Sequence, residues 1–228
     1  MPTAVVTGAN SGIGHEFAKL LIKEGYDVYA TDVQVGDKLQ SLACKHVHLD
    51  VSSPESIQSF AQQLSNQPVD LLLNIAGIMA PPATDLLTTV DLPALNRTFS
   101  VNAFGPLLLT QSLLPNLLAS PHPRIGNMSS RVGSIADNAS GGSYAYRASK
   151  AALNSISKSL AVDLRDKGVV VVVLHPGFVK TAIDPRIHEV KEAVKPEEAA
   201  AKLWRVLMSK GLEDSGRFWH REGQELPW

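Results

Sequence analysis

Short β-rich runs alternate with longer stretches of helical spacing along the whole chain. The runs are Thr3–Val6, Asp27–Thr31, His46–Val51, Val69–Asn74, Arg124–Ser129 and Val169–His175, with Arg217–His220 as a last candidate. After the first run, Ile13, Phe17, Leu20 and Leu21 recur at helical spacing until Gly25 stops the pattern. Ser53-Pro54 opens another helix, since serine can cap it and proline suits its first position. Leu92–Leu118 holds one or two helices, with Pro93, Pro106 and Pro115 as breaks or bends. Tyr144–Asp166 reads as a long helix ending at Gly168, and Pro196–Ser209 as the last. Strands separated by helices return parallel to one another. The expected fold is therefore α/β: three layers, doubly wound, with a mostly parallel sheet. No repeat, low-complexity tract or linker divides the chain, so residues 1–228 are read as a single domain.

Bulk properties narrow the function classes. The chain has 44% hydrophobic residues and a net charge of −1, from 21 basic and 22 acidic side chains. That balance offers no field for nucleic acid or an anionic membrane. Cys44 is the only cysteine, which excludes an intrachain disulfide and suits a reducing compartment. The longest strongly apolar run, Val169–Leu174, is far too short to cross a bilayer and reads as a strand buried on both faces. No basic segment leads into a signal-like apolar stretch. A cytoplasmic location is expected.

The first strand–helix junction reads Thr7-Gly8-Ala9-Asn10-Ser11-Gly12-Ile13-Gly14. Glycines there allow a tight turn and let backbone N–H groups approach a pyrophosphate at the positive end of the following helix. In this context the loop points to dinucleotide binding and a Rossmann fold. Asp32 ends the second strand, where a carboxylate can accept from both ribose hydroxyls and repel a 2′-phosphate. That favours NAD; Lys38 is the nearby cation that keeps NADP open. Asp50 and Val51 close the third run, where an adenine could rest or where Asp50 simply belongs to a turn.

Lys150 follows Tyr146 by four residues, so on a helix both side chains leave one face. A free tyrosine has a pKa of about 10, and a neighbouring ammonium stabilises its phenolate. Such a tyrosine can donate a proton during carbonyl reduction or accept one during alcohol oxidation. Tyr144 has alanine, not lysine, at the equivalent spacing.

The glycine loop together with Tyr146-Arg147-Ala148-Ser149-Lys150 resembles the short-chain dehydrogenase/reductase family, in its compact single-domain form. The resemblance extends over Asn74-Ile75-Ala76-Gly77, Val101-Asn102-Ala103-Phe104-Gly105, Asn127-Met128-Ser129-Ser130 and Pro176-Gly177-Phe178-Val179-Lys180-Thr181, in family order. The stretch Ser143–Asn154 and the Leu226-Pro227-Trp228 end are most similar to a carbonyl-reductase or C-factor-like branch. The resemblance implies hydride transfer between a nicotinamide cofactor and a small carbonyl or alcohol substrate. It assigns Tyr146 as acid/base and Lys150 as its partner and a ribose ligand. Ser130, preferred over Ser129, orients the substrate oxygen. Asn102 holds a water that links the lysine to solvent. Gly8, Asn10, Ser11, Gly12, Ile13, Gly14, Asp32, Asp50, Val51, Asn74, Ala76, Gly77, Pro176, Gly177, Val179 and Thr181 complete the expected cofactor contacts. Ile75 replaces an asparagine common in the family.

A homodimer or homotetramer through the Leu92–Leu118 and Tyr144–Asp166 helices is also implied by the resemblance. The segment between Thr181 and Pro196 is the expected substrate lid, short enough to suggest a small or open pocket. The competing reading is a dinucleotide-sensing protein that keeps the fold with little turnover; retention of both Tyr146 and Lys150 argues for an enzyme. His46 and His48 lack further placed ligands, so no metal site is assigned, and His175 is expected to be packed.

Overall fold

The computed structural model describes all residues 1–228. Seven strands form one sheet: β1 (Thr3–Thr7), β2 (Asp27–Asp32), β3 (Lys45–His48), β4 (Leu71–Asn74), β5 (Arg124–Met128), β6 (Val170–His175) and β7 (Phe218–His220). Their order is β3-β2-β1-β4-β5-β6-β7, and every neighbouring pair is parallel. The winding reverses between β1 and β4. The fold is the doubly wound Rossmann type, and that reversal is where such sheets bind ligands.

Alternation along the strands builds two cores. Ala4, Val6, Leu71, Leu73, Val170, Val172 and Leu174 face α1 (Gly12–Lys23) and α8 (Pro196–Ser209), meeting Phe17, Leu21, Leu203 and Leu207. Val5, Leu72, Ile125 and Val171 point the other way. They meet Ile57, Phe60 and Leu64 of α3 (Pro54–Leu64), Leu109 of α5 (Gly105–Ser112), Leu117 of α6 (Leu114–Leu118) and Ala161 of α7 (Tyr144–Asp163). Both faces of the sheet are covered, which explains the near-continuous apolar strands. None of the helices is long and apolar enough to cross a membrane.

Local sequence explains most boundaries. The Ser53 hydroxyl accepts from the Ser56 N–H at 3.1 Å and starts α3, with Pro54 at its first position. The third strand ends at His48, not at Val51 as the apolar run suggested. The reason is an Asx turn: the Asp50 carboxylate accepts from Ser52 N–H at 2.8 Å and Ser52 Oγ–H at 2.6 Å. A short helix unforeseen in the sequence, α2 (Asp37–Gln40), follows β2. Leu92–Leu118 carries three helices rather than one or two. Between α4 (Leu92–Phe99) and α5 lies a π-helical turn, Ser100–Phe104. The long helix α7 stops at Asp163 and tightens into a 3₁₀ turn, Arg165–Lys167, before Gly168 turns out at φ 74°.

Candidate active site

The glycine loop connects β1 to α1 at the winding reversal. Gly8 and Gly12 have φ values of 70° and 56°, which side-chain-bearing residues resist. A side chain on Gly14 would overlap the Gly8 carbonyl. Ser11 precedes α1 without capping it through its side chain, so the N–H groups of the first turn have no protein acceptor. These features fit a pyrophosphate. The Ile13 side chain is partly buried and packs against the core. Gly12 lies opposite Thr181, 3.3 Å from an added Cβ to Thr181 Cγ2, so the loop and the segment after β6 meet.

Several of the expected contact residues also make hydrogen bonds within the protein. Asp32 ends β2 as anticipated, but its Oδ2 accepts from Asn10 N–H at 3.0 Å and its Oδ1 from Gln34 N–H at 3.0 Å. The Asn10 carbonyl oxygen Oδ1 accepts from Leu39 N–H at 3.1 Å. Asp50 is in its turn, and Val51 is buried against α3 and α5 with its carbonyl beside Gly105. Asn74 uses its side chain structurally. Its side chain is turned into the protein, donating to Asn127 Oδ1 at 2.8 Å, and Asn127 donates in turn to Ser157 Oγ at 2.8 Å. That chain ties β4 and β5 to α7. Ala76 and Gly77 remain at the site: the Ala76 N–H donates to Thr7 Oγ1 at 3.0 Å, and Ala76 Cα lies against Gly8.

Tyr146 and Lys150 share one face of α7, with Lys150 Nζ 5.8 Å from the tyrosine ring centre. The lysine is 3% exposed and donates to the Met128 carbonyl at the end of β5, at 2.8 Å. Burial pulls its pKa down to about 8. Burial pushes that of Tyr146 up to about 12; a hydrogen bond with Ser130 works the other way, and the Asp184 charge adds to the rise. Ser130 therefore stands at the tyrosine hydroxyl. Ser129 is withdrawn: it is buried and donates to Asn154 Oδ1 at 2.5 Å.

Asn102 sits in the π turn, fully buried. Its Oδ1 accepts from Ile78 N–H at 2.9 Å, and its Nδ2 donates to the Ile78 carbonyl at 2.9 Å and to Ser149 Oγ at 3.1 Å. The amide is thus used as a brace: both Nδ2 hydrogens are donated, and Oδ1 keeps a second lone pair. A side chain on Gly77 would come within 3.3 Å of Asn102 Oδ1 and 3.5 Å of Lys150 Nζ, so both groups close on the Gly77 backbone.

The segment after β6 is held by a residue the sequence did not flag. Arg221, 8% exposed, donates through Nη1 to the Pro176 carbonyl and, at 3.1 Å, to the Phe178 carbonyl. It clamps the turn at Gly177, whose φ is 68°. A backbone bridge, Lys180 N–H to the Val194 carbonyl at 3.0 Å and Val194 N–H to the Phe178 carbonyl at 3.1 Å, closes the lid's base. Between the lid and the loop after β4 lies a cleft of about 450 Å³ lined by Met79, Pro81, Ile183, Asp184 and Arg186.

His175 is packed, as expected. Its Nδ1 accepts from Arg131 N–H at 3.2 Å, and its ring lies 5.3 Å from that of His220. Burial, then the charges of His220, Arg131 and Arg221, push its pKa down to about 3. Between pH 6.5 and 3 the unfolded chain binds a proton that the folded state refuses, so stability falls as pH drops through that window. His175→Asn keeps an acceptor without titrating. Melting curves from pH 7 to pH 4.5 should show the variant spared roughly 2 kcal/mol of the wild-type loss; parallel losses would show that His175 has no part in it.

A glycine loop at the reversal of a parallel sheet, with a Tyr–Lys pair at the strand ends, defines a dinucleotide-dependent oxidoreductase. The family model for short chain dehydrogenases matches residues 2–192, and the chain belongs to that family. It is 36% identical over 231 residues, all of both chains, to a 1-hydroxy-2-glutathionyl-2-methyl-3-butene dehydrogenase of Rhodococcus sp.. It is 40% identical over 173 residues to C-signal of Myxococcus xanthus, covering 75% of this chain and 100% of that one. Among solved structures, NADPH-bound carbonyl reductase from chicken fatty liver matches with a TM-score of 0.90 and 32% identity, over 100% of this chain and 99% of that one. The protein is an NAD(P)-dependent oxidoreductase.

Proposed function

We propose that the chain, working as one domain, interconverts a small carbonyl compound and its alcohol, with Tyr146 as general acid/base. The observation that carries this is the convergence of Tyr146, Ser130 and Lys150 beside Gly77, at the ends of β4 and β5. In reduction, the hydroxyls of Ser130 and Tyr146 donate to the substrate oxygen, and Tyr146 gives up its proton as charge develops there. Lys150 stabilises the resulting phenolate. A nicotinamide bound at this point supplies the hydride, or takes it up in the reverse direction. Asn102 acts as a positioning residue, fixing Ile78 and the Ser149 hydroxyl beneath Tyr146. Pro176, Gly177, Val179 and Thr181, leading into the lid, face the cofactor.

The cofactor preference is assigned to NAD. Asp32 and the neighbouring Asp37 oppose a 2′-phosphate, and Lys38 is the one cation of that turn. The chicken carbonyl reductase holds NADPH and a Burkholderia multivorans relative holds NADP, so the relatives lend this preference no support. The cleft suits a small substrate with an apolar body, admitted between Met79–Pro82 and Ile183–Arg186. A cytoplasmic homo-oligomer joined through α4, α5 and α7 completes the proposal. Consumption of NADH and NADPH against a panel of aldehydes and ketones tests it. NADH-dependent reduction is expected; turnover with NADPH alone would overturn the assignment to Asp32, and no turnover with either would overturn the reaction.

A further inference from the structure

The helix that carries Tyr146 begins without a cap of its own. Ser143 precedes α7 in the left-handed conformation, φ 49° and ψ 49°, and makes no side-chain capping bond. No acidic residue lies in the helix's first turn. The start of a helix leaves N–H groups that need acceptors, and buried ones are costly to leave unmet.

The acceptor comes from 60 residues upstream. Asp85 is 2% exposed. Its Oδ1 accepts from the Ala145 N–H at 2.7 Å and its Oδ2 from the Tyr146 N–H at 3.3 Å. It makes no ion pair. A buried carboxylate without a cation is expensive, and a serine or asparagine would cap the helix at less cost. What the carboxylate adds is two acceptors in one rigid group, one of them on the backbone of the residue that handles the proton. Charge-assisted bonds of this kind are the strong ones.

The other side of Asp85 is equally specific. It directly follows the 3₁₀ turn Pro82–Thr84, and the residues leading into that turn, Met79–Pro82, form one wall of the substrate cleft. One side chain thus ties the cleft wall to the start of the catalytic helix.

We propose that Asp85 is a positioning residue for the reaction: by capping α7 across the fold it fixes Tyr146 relative to the loop that walls the cleft. This rests on the acid/base assignment of Tyr146 above. Asp85→Asn keeps an acceptor for Ala145 but can turn an NH₂ toward the Tyr146 N–H, where two donors meet. A misplacement of about 1 Å can cost on the order of 10²-fold in turnover. The variant is therefore expected to lose roughly 10- to 100-fold in kcat. Its NADH affinity, read by fluorescence titration, should hold within about twofold, since the glycine loop is untouched.

The test compares wild type, Asp85→Asn, Tyr146→Phe and the double variant, each shown to be folded by its melting curve. The proposal predicts that Asp85→Asn lowers kcat in the wild-type background and changes nothing further in Tyr146→Phe. A folded Asp85→Asn with wild-type kcat would overturn it, as would an equal loss in both backgrounds, which marks a merely structural cap. If Tyr146→Phe itself keeps full turnover, the acid/base assignment fails instead. Should Asp85→Asn not fold, Asp85→Ser, which keeps a single hydroxyl acceptor, is measured in the same way and judged by the same outcomes.

Discussion

Tyr146→Phe should lower carbonyl reduction by roughly 10²–10⁴-fold, the range that a positioned proton donor contributes. The ring that packs on α7 is retained and only the hydroxyl is lost. Ser130 loses its partner, but it stands in the open site where water can replace the phenol. The melting temperature and NADH affinity should therefore change little. The two readouts separate a chemical role from a structural one. A variant with wild-type turnover would remove Tyr146 from the reaction, and a variant that fails to bind NADH would show that the tyrosine chiefly shapes the cofactor site.

The second large effect is expected at Lys150, where stability and activity should move in opposite directions. Burial lowers the lysine's pKa from 10.5 to about 8. Below pH 8 the ammonium is charged in both the folded and unfolded states, and the fold bears the full cost of burying it. Between pH 8 and 10.5 the folded state has released the proton while the unfolded chain keeps it, so that cost disappears as pH rises. At neutral pH the cost is about 3 kcal/mol. Lys150→Met removes it but strips the Met128 carbonyl of its donor, at about 1–2 kcal/mol. The variant should thus melt higher by about 1–2 kcal/mol of stability while losing at least roughly 10²-fold in turnover, because the Ser130 hydrogen bond alone is left to steady the phenolate.

The wild-type pH profile follows from the same groups. Tyr146 stays protonated to about pH 12, so it can donate over the whole working range. Reduction should be flat below pH 8 and fall above it as Lys150 loses its charge. Lys150→Met should lack that descending limb. A limb that persists in the variant would belong to another group.

Much of this was legible in the sequence because it depends on local chemistry. The strand–helix alternation follows from apolar spacing. The turn glycines at 8, 12 and 14 are demanded by backbone angles and close approach, and Tyr146 and Lys150 by helical register. Ser130 was separable from Ser129 only by resemblance. The structure supplies the physical reason: Ser129 is bonded inward to Asn154, while Ser130 meets Tyr146.

What the sequence did not display lies mostly where distant partners decide, with one local turn among them. The Asn74 side chain meets Asn127 across the β4–β5 register. Asn102 braces Ile78, a residue 24 positions away. The third strand stopped early because the Asp50 turn outcompeted an apolar run. Asp85 and Arg221 carried no pattern at all: one sits in a loop of Pro, Thr and Leu, the other near the end of the chain. Each acts on backbone groups, which a sequence does not display. Their work appears only when Ala145, Tyr146, Pro176 and Phe178 are brought beside them.

Direct hydride transfer to the carbon whose oxygen Ser130 and Tyr146 address is the proposed step. NADH carrying deuterium on one face of nicotinamide C4 tests it, with an aldehyde or ketone taken from the reduced panel. The product is then read by mass spectrometry and NMR. The site predicts one deuterium on the carbinol carbon for one face of the labelled cofactor and none for the other. A carbinol without deuterium from either face, or with label scrambled between the two, would contradict it.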